Sequence, residues 1–312
     1  MNETVPGSIP RTPYRSLSRR AALGRFAGIG AGATFATAAF GAFPATALEF
    51  SASLGSSGTV QTQRGTFMAQ ATPATSGSPT VVLVHGAFAD ASGWGGVISR
   101  LQAEGIPVMA PANPLRSVSG DAAYIASVVN QIPGPVLLVG HSYGGVVISN
   151  ASPQADNVVG LVYVCAFIPD EGEALQTLAE QATDSLLGPN LRPAQYPSGG
   201  DEPGIEFSID QAVFHEVFCA DLPAEQAAIM AVSQRPGAAA GFGEPSGPVG
   251  WKTIPSWALI SPNDLTIGPS GLRFMAERAG AVIVEVDASH VAMISQPQAV
   301  ADLIVSALGT IG

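Results

Sequence analysis

Residues 135–147 read PVLLVGHSYGGVV, an apolar run that halts at Gly140 and turns through Ser142 into a pair of glycines. The spacing of Gly140, Ser142 and Gly144 is G-x-S-x-G. Where a strand passes directly into a helix, such a serine sits on a sharp turn that small neighbours make possible, with its hydroxyl exposed. The same thirteen residues also read as a serine in a glycine-rich bend, because so short a motif recurs by chance. What surrounds it in the chain has to decide between the two.

Strands and helices alternate around this stretch. Continuous apolar, β-branched runs predict strands over 80–84 (TVVLV), 106–110, 135–139, 157–167, 256–260 and 281–286; helical spacing predicts helices over 94–104, 121–131, from about 143, over 272–279 and over 297–308. Strands apolar on both faces, separated by helices, predict an α/β fold with a doubly wound, mostly parallel sheet of about six core strands. One interval breaks the rhythm. About eighty residues, roughly 170–251, separate two strands and hold helical patches at 211–220 and 224–233. That is too long for a crossover and is read as a mainly helical cap over the carboxyl edge of the sheet.

In open α/β sheets the working groups leave the carboxyl ends of the strands. Here these ends carry His85, Ser142, Asp170, Asp264 and His290. A serine hydroxyl needs a base, and a histidine base needs a carboxylate to fix its tautomer. Ser142, Asp264 and His290 therefore form the candidate triad, in the chain order serine, acid, histidine. Asp170 competes for the role of acid. Backbone N–H groups of Ala87 and Tyr143 are the candidate donors to an oxyanion, the first from the loop after the first strand and the second from the residue after the serine. Phe88, Phe167 and Val291 are expected to give a substrate pocket its apolar lining. His85 and His141 read as structural members of tight turns, and His215 has no evident partner.

Composition narrows the classes further. The chain has 312 residues, 46% hydrophobic and 12% charged, enough for a large core and unlike a disordered polymer. With 13 basic residues scattered among 24 acids, it lacks the clustered lysines and arginines that nucleic-acid binding requires. The four histidines and two cysteines show neither H-x-x-x-H nor C-x-x-C spacing, and no phosphate or dinucleotide loop is present, so neither a metal nor a cofactor is implied. Cys165 and Cys219 could pair in an oxidising compartment or remain buried thiols.

The amino-terminal 47 residues are different material. Arg19 and Arg20 precede a Gly/Ala-rich apolar stretch from Phe26 to Phe43, which ends in Pro44-Ala45-Thr46-Ala47. Paired arginines, a weakly apolar run and a small-x-small site make up an export signal of the twin-arginine type. An uncleaved anchor is the alternative, although so many glycines and alanines make a poor spanning helix. Residues 48–79, rich in Ser, Gly, Thr and Ala, read as a flexible linker, and 80–312 as the folded domain. Cleavage would remove five of the 13 basic residues and one of the 24 acids, leaving 8 and 23, a net of −15. The expected product is a strongly acidic protein, periplasmic or secreted, with no stable membrane association after cleavage.

VLVHGAFADASGW (82–94), LLVGHSYGG (137–145), LVYVCAFIPDEGE (161–173) and SHVAMISQP (289–297) resemble the α/β-hydrolase branch that contains plant methylesterases, hydroxynitrile lyases and bacterial esterases. The resemblance implies a six-stranded core and carries the family's nucleophile, acid and base onto Ser142, Asp264 and His290, and its oxyanion amides onto Ala87 and Tyr143. The lyases of this branch have a lysine after the catalytic histidine and a threonine after the first strand's histidine. Val291 and Gly86 stand there in this chain, which favours hydrolysis. The expected function is cleavage of small to medium hydrophobic carboxylic esters through an acyl-enzyme. An amidase, a lactonase, a C–C bond hydrolase or lyase, and a catalytically weak small-molecule binder remain open on the same residues.

Overall fold

The computed structural model describes residues 79–311, so the candidate export signal and the linker up to residue 78 lie outside the described residues. The chain runs through β1 (Thr80–Val84), α1 (Gly95–Ala103), β2 (Val108–Met109), α2 (Val118–Val129), β3 (Val136–Ser142), α3 (Tyr143–Ala151) and β4 (Val158–Ala166). These strands, with β8 (Ser256–Ile260) and β9 (Val282–Glu285), form one six-stranded sheet in the order β2-β1-β3-β4-β8-β9, parallel at every pairing. The helices α8 (Pro269–Arg278), α9 (Ala292–Ser295) and α10 (Pro297–Ile311) complete this layer. This is the doubly wound α/β architecture that the apolar runs predict. Every residue of β3 and β8 is buried, as the absence of polar alternation in VLLVG and SWALI requires.

The edge strands are shorter than their apolar runs. The run 106–110 contributes only Val108 and Met109, because Pro107 has no N–H to give to a ladder and offers only its carbonyl, which accepts from Val81 N–H at 2.8 Å. At the other edge β9 is reduced to four residues, with Val282 57% exposed. Helix α2 starts three residues before the predicted 121, since Ser117 caps it by accepting from Gly120 N–H at 3.1 Å. Helix α8 starts on Pro269 rather than at 272, the position where a missing N–H costs nothing.

Between β4 and β8 lies the cap. It contains α4 (Leu175–Gln181), α5 (Phe214–Phe218), α6 (Ala224–Val232) and α7 (Ala239–Gly243), and in addition a three-stranded antiparallel sheet that periodicity did not reveal. Its strands are β5 (Leu191–Tyr196), β6 (Gly204–Ile209) and β7 (Gly237–Ala238). Residues 192–195 of β5 are exposed and include Pro193, so the segment offers no apolar alternation to read. The stretch 197–203, Gly-rich and Pro-bounded, is the turn that folds β5 onto β6. On the core side, Arg278 grips Glu173 through both carboxylate oxygens, at 2.6 and 2.8 Å, fixing the chain where it leaves β4 for the cap.

Candidate active site

The elbow after β3 is built by close backbone contacts. Helix α3 begins immediately at Tyr143, and Ser142 is held at φ +54°, ψ −124°, a left-handed region that a residue with a side chain rarely enters. A methyl group on Gly144 would strike the carbonyl of Val84 in β1, and one on Gly145 the carbonyl of Phe167 beyond β4. The two glycines after the serine therefore let the first turn of α3 sit directly on the ends of both neighbouring strands. The register of β3 on β4 also shifts between His141 and Ser142. Ser142 is the last residue of the ladder, opposite Ala166, and is only 6% exposed.

His290 arrives from the loop after β9, and Asp264 from the loop after β8. Their side chains are fully buried and joined by a 2.7 Å hydrogen bond between His290 Nδ1–H and Asp264 Oδ2. The other carboxylate oxygen accepts from the backbone N–H groups of Thr266 and Ile267, both at 2.9 Å. Asp264 is thereby satisfied at each oxygen, as a buried charge must be. With the Nδ1 proton committed, Nε2 carries the lone pair, and it is buried without a hydrogen-bond partner among the described residues. A nitrogen so disposed is what a general base presents.

Asp170 is elsewhere. It pairs with Lys252 Nζ at 2.5 Å and accepts from Glu171 N–H at 2.6 Å at the surface, and the carboxylate that meets His290 is that of Asp264.

The loop after β1 lies against the serine. A methyl group on Gly86 would stand 2.6 Å from Ser142 Cβ and 3.2 Å from Ser142 Oγ. His85 holds this loop: its Nδ1–H donates to Gly86 O at 2.9 Å, and Nε2 accepts from Asn113 N–H at 2.9 Å. Phe88, at φ +65°, turns its N–H to Arg235 O at 2.9 Å, while Ala87 N–H finds no acceptor among the described residues. Tyr143 N–H is the first of the helix donors left without an intrahelical acceptor. Both amides thus flank Ser142 with hydrogens to give. The Tyr143 phenol points to a different task, donating to Asp121 Oδ2 at 2.9 Å. Burial is the main cause that raises the Asp121 carboxyl above its ordinary range, against hydrogen bonds that pull it down.

His141 is completely buried and donates from Nε2 to the carbonyl of His290 at 3.0 Å, so it braces the backbone of His290. Burial drives its pKa well below the usual value, and the neighbouring His290 adds to that shift. His215 donates to Leu222 O at 2.9 Å within the cap, a partner that sequence distance concealed. Cys165 and Cys219 are both free and buried. Among the described residues no group of three or more His, Cys, Asp or Glu side chains is arranged to hold a metal, and no helix is long and apolar enough to cross a membrane.

Phe88, Phe167 and Val291 are all nearly enclosed, at 3%, 2% and 0% exposure. A cavity of about 520 Å³ opens instead among cap residues, lined by Leu175, Ala179, Leu187, Leu191, Phe207 and Phe242. Phe242 connects it to the elbow: its ring stacks on Tyr143 at 6.3 Å and meets Phe88 at 6.2 Å. Phe88 also lines a smaller cavity of about 210 Å³ with Met230 and Ile294. Sequence reasoning missed Phe207 and Phe242 because neither has a motif or a period to betray it.

Comparison with known proteins bears on this arrangement. The model of the α/β-hydrolase family matches residues 81–303. The chain is 27% identical over 255 residues to the α/β hydrolase nvfD of Aspergillus novofumigatus, covering 74% of this chain and 97% of the relative. It is 31% identical over 114 residues to a carbendazim hydrolyzing esterase of a Nocardioides species, covering 32% and 47%. Polyneuridine aldehyde esterase has the same fold, with a TM-score of 0.63 at 20% identity over 73% of this chain and 98% of that one. The chain belongs to the α/β-hydrolase family and is an enzyme of the hydrolase class.

Proposed function

We propose that the protein is a serine hydrolase of small to medium hydrophobic carboxylic esters, acting through an acyl-enzyme. The observation that carries the reading is the fully buried Asp264–His290 pair, whose free Nε2 belongs to the same strand-end cluster as the strained Ser142. His290 Nε2 takes the Ser142 proton as Oγ attacks the ester carbonyl. The developing oxyanion is met by the N–H groups of Ala87 and Tyr143, which are fixed before the substrate arrives and so reorganise little. Collapse of the tetrahedral intermediate expels the alkoxide, which leaves as alcohol with the proton from His290. Water then gives a proton to the same nitrogen, attacks the acyl-enzyme and releases the acid with Ser142 restored.

The apolar cap cavity favours an ester with a sizeable uncharged group, seated against Phe207 and Phe242. The relatives named as esterases support the ester reading, and Val291 and Gly86 favour hydrolysis over cyanohydrin cleavage. Ser142→Ala is expected to abolish turnover of 4-nitrophenyl butyrate and labelling by a fluorophosphonate probe while unfolding at the wild-type urea midpoint. Retained turnover by that variant refutes the mechanism.

Export by the twin-arginine route is part of the proposal and rests on Arg19, Arg20 and the apolar run that follows. Replacing both arginines with lysine should leave full-length precursor inside the cell; normal secretion of that variant would sink the assignment.

A further inference from the structure

The cap reaches the loop that carries His290 at one polar point. Ser289, the residue before the histidine, is 3% exposed, and both of its donors go to one carboxylate. Its N–H donates to Asp221 Oδ2 at 3.0 Å and its hydroxyl to Asp221 Oδ1. Asp221 stands in the turn between α5 and α6. We infer that Asp221 is a positioning residue for the base, a latch through which the cap fixes the backbone of His290; this rests on the esterase reading above.

Three further contacts make the latch part of a clamp. Phe218, at the end of α5, packs its ring edge-on to His290 with centroids 5.1 Å apart. The carbonyl of Val217 accepts from Thr266 Oγ1 at 2.7 Å, and the N–H of Thr266 donates to Asp264. The turn itself is stiffened by His215, which donates to Leu222 O. One cap segment, 215–222, therefore holds the loop of the acid and the loop of the base at once. On its other side Ser289 offers its carbonyl to Cys165 Sγ at 4.0 Å, and His290 its carbonyl to His141. Among the described residues Asp221 is the hydrogen-bonding cap side chain on this loop; the remaining ties come from the core. Burial would raise the Asp221 carboxyl, but hydrogen bonding from Ser289, together with Ser295 and the backbone of Asp221 itself, outweighs it and holds it below the ordinary range, so the latch is charged at neutral pH.

Asp221 also lines an open surface groove of about 700 Å³, so truncating it leaves no core void. Asp221→Ala should lower kcat on 4-nitrophenyl butyrate by about 10- to 100-fold, since small displacements of a catalytic group cost that much, with KM changed less than threefold. Ser289→Ala, which removes one of the two bonds, should lose a part of the same factor. The double variant should lose no more than Asp221→Ala alone, because both single changes break one interaction. Amide hydrogen exchange in 287–291 should quicken by about tenfold or more in Asp221→Ala, a readout that does not depend on turnover. Wild-type kcat in a folded Asp221→Ala, multiplicative losses in the double variant, or unchanged exchange in 287–291 would each overturn the latch. Absence of fluorophosphonate labelling in the wild type would instead overturn the esterase reading, and the exchange measurement would still decide the latch.

Discussion

Gly86→Ala adds one methyl group to the molecule at the point where the oxyanion loop touches the nucleophile. That methyl carbon would lie 2.6 Å from Ser142 Cβ and 2.9 Å from His141 O. Carbon pairs rest at about 3.5–4.0 Å, so one partner has to retreat by about 1 Å. Ser142 has little room, being at the end of a fully buried strand with two glycines jammed against the carbonyls of Val84 and Phe167. The loop is equally pinned, by the paired hydrogen bonds of His85. A displacement of about 1 Å at a reacting atom costs about 100-fold in rate, or about 2.7 kcal/mol, and overpacking of this kind costs about 1–3 kcal/mol of stability. Steady-state kcat/KM on 4-nitrophenyl butyrate and urea unfolding measure the two. Gly93→Ala is the control, since its methyl would meet Met293 Cε at an ordinary 3.5 Å and should be silent in both assays. If Gly86→Ala keeps kcat/KM within threefold of wild type with an unmoved urea midpoint, the close approach of loop and serine is not the constraint argued here.

Tyr143→Phe keeps the backbone donor and deletes only the phenol, so turnover should stay within about threefold while stability falls by about 1–3 kcal/mol as Asp121 loses a buried donor; a collapse of kcat without a stability change would place the phenol in the reaction. Acid should destabilise the protein through His141 and His85, whose pKa values burial lowers in the folded state. The unfolded chain then takes up protons that the folded one refuses, so stability is fully present above about pH 6.5 and falls as the pH drops, by at most about 1.4 kcal/mol per pH unit for each group. His141→Gln, which keeps a donor for the His290 carbonyl, should lose its share of that slope between about pH 6.5 and 5. Parallel urea midpoints for the two proteins across that window would contradict the assignment.

The positions of Ser142, Asp264 and His290 were legible because each follows a strand, and in a parallel sheet strand ends share one edge whatever the loops between them do. Gly144 and Gly145 were legible for a related reason, since a turn that tight admits few residue types. Phe242, Asp221 and the β5–β6 hairpin were not. Phe242 meets Tyr143 only because the cap folds back over the sheet, Asp221 reaches Ser289 across 68 residues of chain, and β5 shows solvent too many of its side chains to display a period. Periodicity reports which face of an element is covered, and it is silent about which distant element does the covering.

The order in which the chain is made gives the position of α10 a further meaning. Arg100 of α1 donates to Gln298 at 2.9 Å, and Gly96 leaves space where a methyl group would press on Pro297 Cβ at 2.9 Å. A helix near the start of the domain thus waits for the last residues to be synthesised before it can finish packing. Ser142 emerges long before Asp264 and His290, and β4, which pairs with its strand, cannot find its second neighbour until β8 has followed the whole cap. Long-range closure of this kind is slow and leaves apolar surface open in the interim. A nascent chain stalled short of Pro297 would hold Ser142, Asp264 and His290 and still lack the helix against which α1 packs.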